Sequence, residues 1–155
     1  MAKKLALIAS KGALDWAYPP FILASTAAAL DYDVQIFFTF YGLTLLRKDI
    51  SDLKVSPIAN PAMPMPLPMP NLAQMIPGME SMATMMMKQK MAKKGIATIE
   101  ELRSACLESG VKLIACQMTV DLFDFKPDDF IDGIEYGGAA TFFEFAGESD
   151  VNMFI

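Results

Sequence analysis

Apolar positions along this chain fall into short continuous runs separated by segments of helical length, and this alternation sets the first expectations. Residues 5–9 (LALIA) are uniformly apolar, with Lys3 and Lys4 before them and Ser10-Lys11-Gly12 after, which predicts a buried strand entering a turn. The N-terminus has the outline of a signal peptide, but its apolar run is too short, and a first strand is the better reading. Residues 13–30 are apolar around most of a helical circumference. Pro19 and Pro20 lack backbone N–H groups, so the helix is expected to start near them or to kink there. Asp31-Tyr32-Asp33 breaks it, and VQIFFTF at 34–40 is rich in β-branched and aromatic residues, as a central strand requires. Together these segments form a βαβ unit. Residues 41–48, with three leucines followed by Arg47 and Lys48, predict a short helix with cations at its C-terminal end.

The second half repeats the logic. Thr98-Ile99-Glu100-Glu101 has the form of a capping box, and Gly110 stands where a helix-terminating glycine belongs. Residues 111–116 then read as a strand, 137–146 as a helix closed by Gly147, and 151–155 as a last strand. Strands that are apolar throughout, alternating with helices, predict a three-layer α/β/α fold with a mainly parallel sheet of flavodoxin-like type. A chain of 155 residues is the size of one domain, interrupted here by an arm at about 57–95.

That arm is compositionally distinct. Ten of the 13 methionines lie in it, and Pro64, Pro66, Pro68 and Pro70 alternate with apolar residues, a pattern that forbids regular helix and favours an extended path. From Pro77 the spacing of Leu72, Met75, Met79, Met82 and Met86 at threes and fours predicts a helix to Lys94 with a methionine stripe, cations at its end and Gly95 as the stop. Glu80 is the sole charge between residues 57 and 87, yet the prolines leave too little uncharged helix for a bilayer span of about 20 residues. The arm is expected to pack on its own domain or a neighbouring subunit, or to offer a soft docking surface to a partner or a membrane.

Charge and composition narrow the chemistry. Thirteen cations against 18 anions give a net charge of -5, and no basic cluster sits beside aromatic residues, so nucleic acid is not an expected partner. The chain has no histidine, which removes Ser-His-Asp triads, Cys-His proteases and histidine-ligated zinc together. Its two cysteines form neither a disulfide framework nor a metal knuckle, and point to free thiols in a reducing, cytoplasmic compartment. No metal and no cofactor is expected.

Cys106 falls on the capped helix among apolar positions and reads as a packed core residue. Cys116 ends the run KLIAC and is followed by polar Gln117 and Thr119. Open α/β sheets bind ligands at the carboxyl ends of their strands, so this thiol is a candidate nucleophile, although a strand-terminal cysteine can equally be packing. A short helix capped by Thr119 would bring N–H groups beside the sulfur and favour its thiolate. Gly137-Gly138 is expected to open a helix near the thiol, either letting backbone N–H groups approach an anionic sulfur or allowing tight helix–sheet packing. Gln117, Thr119, Gly137 and Gly138 are therefore the candidate binding residues around Cys116. Without imidazole to serve a leaving group or a second thiol in reach, sulfur transfer is the reaction that asks least of one cysteine, because a thiolate both attacks and departs.

The segments KLIACQMTVDLF, DGIEYGGAATFFEFA and FFTFYGLTLLRK resemble the DsrE/DsrF-like (DsrEFH-like) sulfur-relay family, in its longer variants with a Met/Pro-rich insertion, over nearly the whole chain. The resemblance implies a small α/β subunit of a homo- or hetero-oligomer that holds sulfane sulfur, as persulfide or thiosulfonate, on Cys116. It also implies TusA-like carriers, rhodaneses or heterodisulfide-reductase-like complexes as partners. The Tyr18-Pro19-Pro20 opening departs from the family pattern. Two other functions fit the residues: an oligomeric scaffold or small-ligand-binding module in which Cys116 lines a cleft, and a peroxiredoxin-like thiol.

Overall fold

β1 (Lys4–Ala9) and β2 (Asp33–Phe38) pair in parallel with Leu7 opposite Ile36, and the rest of the sheet grows from this pair. The computed structural model describes residues 1–56 and 76–155. Its further elements are α1 (Leu14–Ala29), a 3-10 helix (Phe40–Leu46), α2 (Met79–Lys93), α3 (Ile99–Glu108), β3 (Lys112–Cys116), α4 (Gln117–Leu122), a short 3-10 turn (Pro127–Asp129), β4 (Glu135–Gly137), α5 (Ala139–Ala146) and β5 (Val151–Phe154). The sheet has five strands in the order β4-β3-β2-β1-β5, and every pairing is parallel. The architecture is the expected three-layer α/β.

Strand alternation assigns side chains to two cores. Leu5, Leu7 and Ala9, with Val34, Ile36, Phe38, Leu113 and Ala115, meet Leu14, Ala17, Phe21 and Ala24 of α1 and Ile99 and Cys106 of α3. On the other face Phe37, Ile114 and Cys116 form a smaller cluster against Phe142 of α5. The first core is deep and the second is thin. Between the layers, buried Arg103 of α3 donates from Nη1 to the carbonyls of Leu45 and Arg47 at 2.7 and 2.8 Å, which satisfies the end of the 3-10 helix and fixes it to the body. The start of that helix is set by Gly42, where a Cβ would fall 2.1 Å from the Ala9 carbonyl oxygen.

Several local expectations are corrected. α1 begins at Leu14, well before Pro19 and Pro20, because the Ala13 carbonyl already accepts from the N–H groups of Trp16 and Ala17. The prolines are tolerated inside the helix: their fixed φ is helical, and the acceptors they leave free belong to exposed Asp15 and half-buried Trp16. The segment after β2 is a 3-10 helix that ends before Arg47 and Lys48. The capping box at Thr98 and Glu101 is present in both directions, at 3.2 and 2.8 Å. β4 had no counterpart in the apolar pattern, since Glu135 and Tyr136 are exposed on an edge strand. Gly137 closes that strand, and α5 opens only at Ala139 with Gly138 as its N-cap.

In the arm, α2 runs within the expected helix and stops before Gly95 at φ 68°. Its methionine stripe is not the buried face. Ala83, Thr84 and Met87 turn to the body, with the Thr84 hydroxyl accepting from the Val55 N–H at 3.0 Å, while Met82 and Met86 point outward. A polar hydroxyl with a specific partner decided the docking face where spacing alone favoured the methionines. Leu72, Met75 and the alternating prolines lie outside the described residues.

Candidate functional site

The row of residues at the C-terminal edge of the sheet is fixed by register. Phe38 pairs with Ala115, which brings Thr39 alongside Cys116 on one side, and Gly137 pairs with Cys116 on the other. Cys116 is 5% exposed and ends β3, and α4 starts at the very next residue. The expectation of a helix capped by Thr119 is therefore corrected: Cys116 itself occupies the N-cap and Thr119 the third helical position. The cause is the apolar strand running directly into helix, with no turn residue between Cys116 and Gln117.

At an N-cap, a serine or aspartate oxygen would accept from the N–H groups of the second and third helical residues. Sulfur stands in that place here, facing Met118 and Thr119, and closes no strict capping hydrogen bond. Burial pushes the Cys116 thiol up; it is outweighed by the hydroxyl and N–H of Thr119, the hydroxyl of Thr39 and the N–H of Met118, and the thiol is held below its ordinary range. With six residues, α4 has little macrodipole, so these local donors carry the effect. Cys106 is the opposite case. It is fully buried beneath α1, its Sγ faces the Phe21 carbonyl at 3.5 Å, and burial pushes its thiol up to about 11.

The other sequence candidates divide. Thr119 is fully buried at the sulfur, accepting at Oγ1 from the Phe40 N–H at 3.1 Å. Gly137 lies beside Cys116 and is tightly packed, while Gly138 faces open space. Gln117 is exposed on α4 and donates from Nε2 to Asp121 at 2.8 Å, which holds its side chain along the helix surface. Thr39, whose Oγ1 stands 3.4 Å from that of Thr119, was missed. The signal was its place at the end of β2 beside the end of β3, which needs the strand order to be read. Phe40, Tyr41 and Phe123 form an exposed aromatic rim on the same edge, with Tyr41 stacked on Phe123 at 6.0 Å.

Residues 1–154 match the model of the DsrE/DsrF/DrsH-like family. The chain belongs to this family. It is 66% identical to the sulfur carrier protein DsrE2 of Allochromatium vinosum, over 99% of this chain and 98% of that one. It is also 33% identical to the uncharacterized protein YrkE of Bacillus subtilis, over 99% and 97%. Among solved structures, the fold is similar to the ychN protein of E. coli, with a TM-score of 0.57, 13% identity and coverage of 99% of each chain. It is likewise similar to MTH1491 of Methanobacterium thermoautotrophicum, at 0.56 and 11% over 97% and 98%. The DsrE/DsrF-like chain thus shares its architecture with proteins of very low sequence identity.

Proposed function

We propose that this chain is a sulfur carrier that holds sulfane sulfur on Cys116. The observation that carries the reading is a single thiol at the carboxyl end of a central parallel strand, surrounded by donors that favour its thiolate. The name of the Allochromatium vinosum relative supports the same chemistry. The thiolate attacks the outer sulfur of a persulfide donor R–S–SH; the new bond is Cys116 Sγ to sulfur, the old S–S bond breaks, and R–S⁻ departs with the electron pair. Passage onward reverses these roles toward an acceptor thiolate. A thiosulfonate on the same sulfur is the alternative cargo.

A peroxiredoxin-like cycle is poorly supported, because Cys106 packs in the opposite core and cannot resolve an oxidised Cys116. One domain that self-associates in the cytoplasm, with thiol-bearing transfer proteins as partners, fits two free thiols and the exposed methionines of α2. Among the described residues, no helix is long and apolar enough to cross a membrane.

Intact-mass measurement after incubation with polysulfide, thiosulfate or peroxide tests the reading. Polysulfide is expected to add the mass of sulfur, and Cys116→Ser, but not Cys106→Ser, to abolish the gain. Oxygen added by peroxide without any sulfur added by polysulfide would replace the carrier with a redox thiol.

A further inference from the structure

We propose that Thr39 acts with Thr119 as a positioning pair that stabilises Cys116 as the leaving group when sulfur is handed on, so that the site is built for release more than for storage. The inference rests on the carrier reading above. Three elements converge to make the pair: the end of β2 supplies Thr39, the first residue of the 3-10 helix supplies the Phe40 N–H, and α4 supplies Thr119. Thr119 is fully buried, and its hydroxyl carries one hydrogen. Its oxygen accepts from Phe40 at 3.1 Å and lies 3.4 Å from the Thr39 hydroxyl. With Phe40 donating to that oxygen, one hydroxyl hydrogen serves the bond between the two threonines and the other is left to turn toward Cys116, which the β2–β3 register places beside Thr39. Both hydroxyls lie where they hold the Cys116 thiol below its ordinary range, and the bond between them polarises whichever hydroxyl turns toward the sulfur.

The backbone is bent to make this arrangement. Phe40 has φ 47°, in the left-handed region that an aromatic residue seldom adopts, so the strained turn begins at the residue whose N–H donates to Thr119. Gly42, wedged against the Ala9 carbonyl, holds the turn from behind. A threonine pair serving only to fill space would need neither feature.

The location of charge gives the pair its direction. In Cys116–S–SH the ionisable sulfur is the outer one, a full S–S bond beyond Sγ. When an acceptor thiolate R–S⁻ attacks that outer sulfur, the S–S bond breaks, the electron pair stays on Sγ, and the transferred sulfur keeps its proton as R–S–SH. Negative charge then appears on the atom the two threonines face. Donors fixed at Sγ stabilise the product of release, and a better leaving group departs faster.

The test uses the whole chain as wild type, Thr39→Val and Thr39→Ser, with Thr39→Ala as a second deletion of the hydroxyl should valine pack poorly. Two quantities are read: the pH midpoint of Cys116 alkylation by iodoacetamide in the empty protein, and the rate at which polysulfide-loaded protein passes sulfur to glutathione. Loss of one hydrogen bond to a charged atom is expected to raise the midpoint by about one pH unit. Release should slow about threefold for that change in leaving-group basicity. Thr39→Ser should keep both values. A lowered melting temperature in Thr39→Val and Thr39→Ala with midpoint and release unchanged would reduce Thr39 to a structural residue and overturn the proposal, while leaving the carrier reading intact. Failure of wild type to load sulfur would overturn the carrier reading instead, and with it the release claim, whereas the alkylation midpoint would still decide whether Thr39 acts on the thiolate.

Discussion

Gly137 sits directly opposite Cys116 in the β3–β4 pair, and a Cβ on it would come within 2.9 Å of the Thr141 side chain. Its neighbour Gly138 is the reverse case: nothing lies within 4 Å of a Cβ there, and its φ of -115° is extended backbone open to any residue. The two adjacent glycines thus separate packing from access. Gly137→Val should destabilise by about 1–3 kcal/mol through overpacking against Thr141. Gly138→Val should change stability by less than about 0.5 kcal/mol. It should nevertheless lower sulfur loading on Cys116, because the added side chain fills open space one residue from Gly137, the strand partner of Cys116. Paired melting curves and intact-mass loading assays check this, and unaltered loading in Gly138→Val would remove Gly138 from the binding residues.

The two thiols should react at very different rates. Cys116 is held below the ordinary thiol range by polar neighbours and Cys106 is pushed up to about 11 by burial, so the former has the larger thiolate fraction at any given pH. Peptide mass spectrometry after brief iodoacetamide treatment should find the label on Cys116 first, by at least about tenfold. Unfolding in denaturant should erase the difference, because both thiols then return to about 8.5.

Cys106 also predicts an alkaline weakness. Its folded pKa lies above the unfolded value of about 8.5, so the folded state keeps the proton longer. The associated stability is complete below the unfolded pKa and is lost as pH rises through about 11. Between those limits the slope is at most one proton, or about 1.4 kcal/mol per pH unit. Urea midpoints from pH 8 to 11 should fall faster in wild type than in Cys106→Ala, even though the variant starts lower for want of the buried side chain. Parallel curves would mean that the thiol does not set the alkaline limit.

Much of the fold was legible because the central strands β1, β2 and β3 are mostly apolar runs, and α3 is punctuated by local signals: Thr98 with Glu101 at one end, Gly110 at the other. β4 was not legible, since an edge strand of three residues with two exposed side chains leaves no apolar signature. The prolines of α1 misled for the opposite reason: a local rule that forbids helix gives way when the residues that lose their bonds face water. At the site, Cys116 was visible from its place at the end of a strand, whereas Thr39 lies 77 positions away and meets it only through the parallel pairing of β2 with β3. Sequence reports what a residue neighbours along the chain; the hydroxyl beside the sulfur is set by strand order.

The exposed face of α2 carries the last prediction. Met82, Met85 and Met86 lie three and four residues apart on one side of the helix and are all exposed, while Ala83, Thr84 and Met87 hold the other side to the body. Three flexible thioether side chains in water form a surface that another copy of the chain can cover at low conformational cost. Replacing residues 61–91 by a short Gly/Ser linker should leave the α/β body folded. Among the described residues, α2 meets that body through the Thr84–Val55 hydrogen bond, the one from Lys88 to the Ser51 carbonyl, the Lys54–Glu80 ion pair and the packing of Ala83 and Met87, while the strand pairings of the sheet do not involve it. The shortened chain should also give a smaller particle by light scattering. An unchanged particle would assign assembly to the body and the arm to another partner or a lipid surface. Flotation with anionic vesicles then separates those two outcomes: Lys88 is already engaged with Ser51, which leaves Lys90, Lys93 and Lys94 to meet the headgroups. A basic cluster of three lysines is small for that encounter, and the exposed methionine face makes a second copy of the chain the expected occupant.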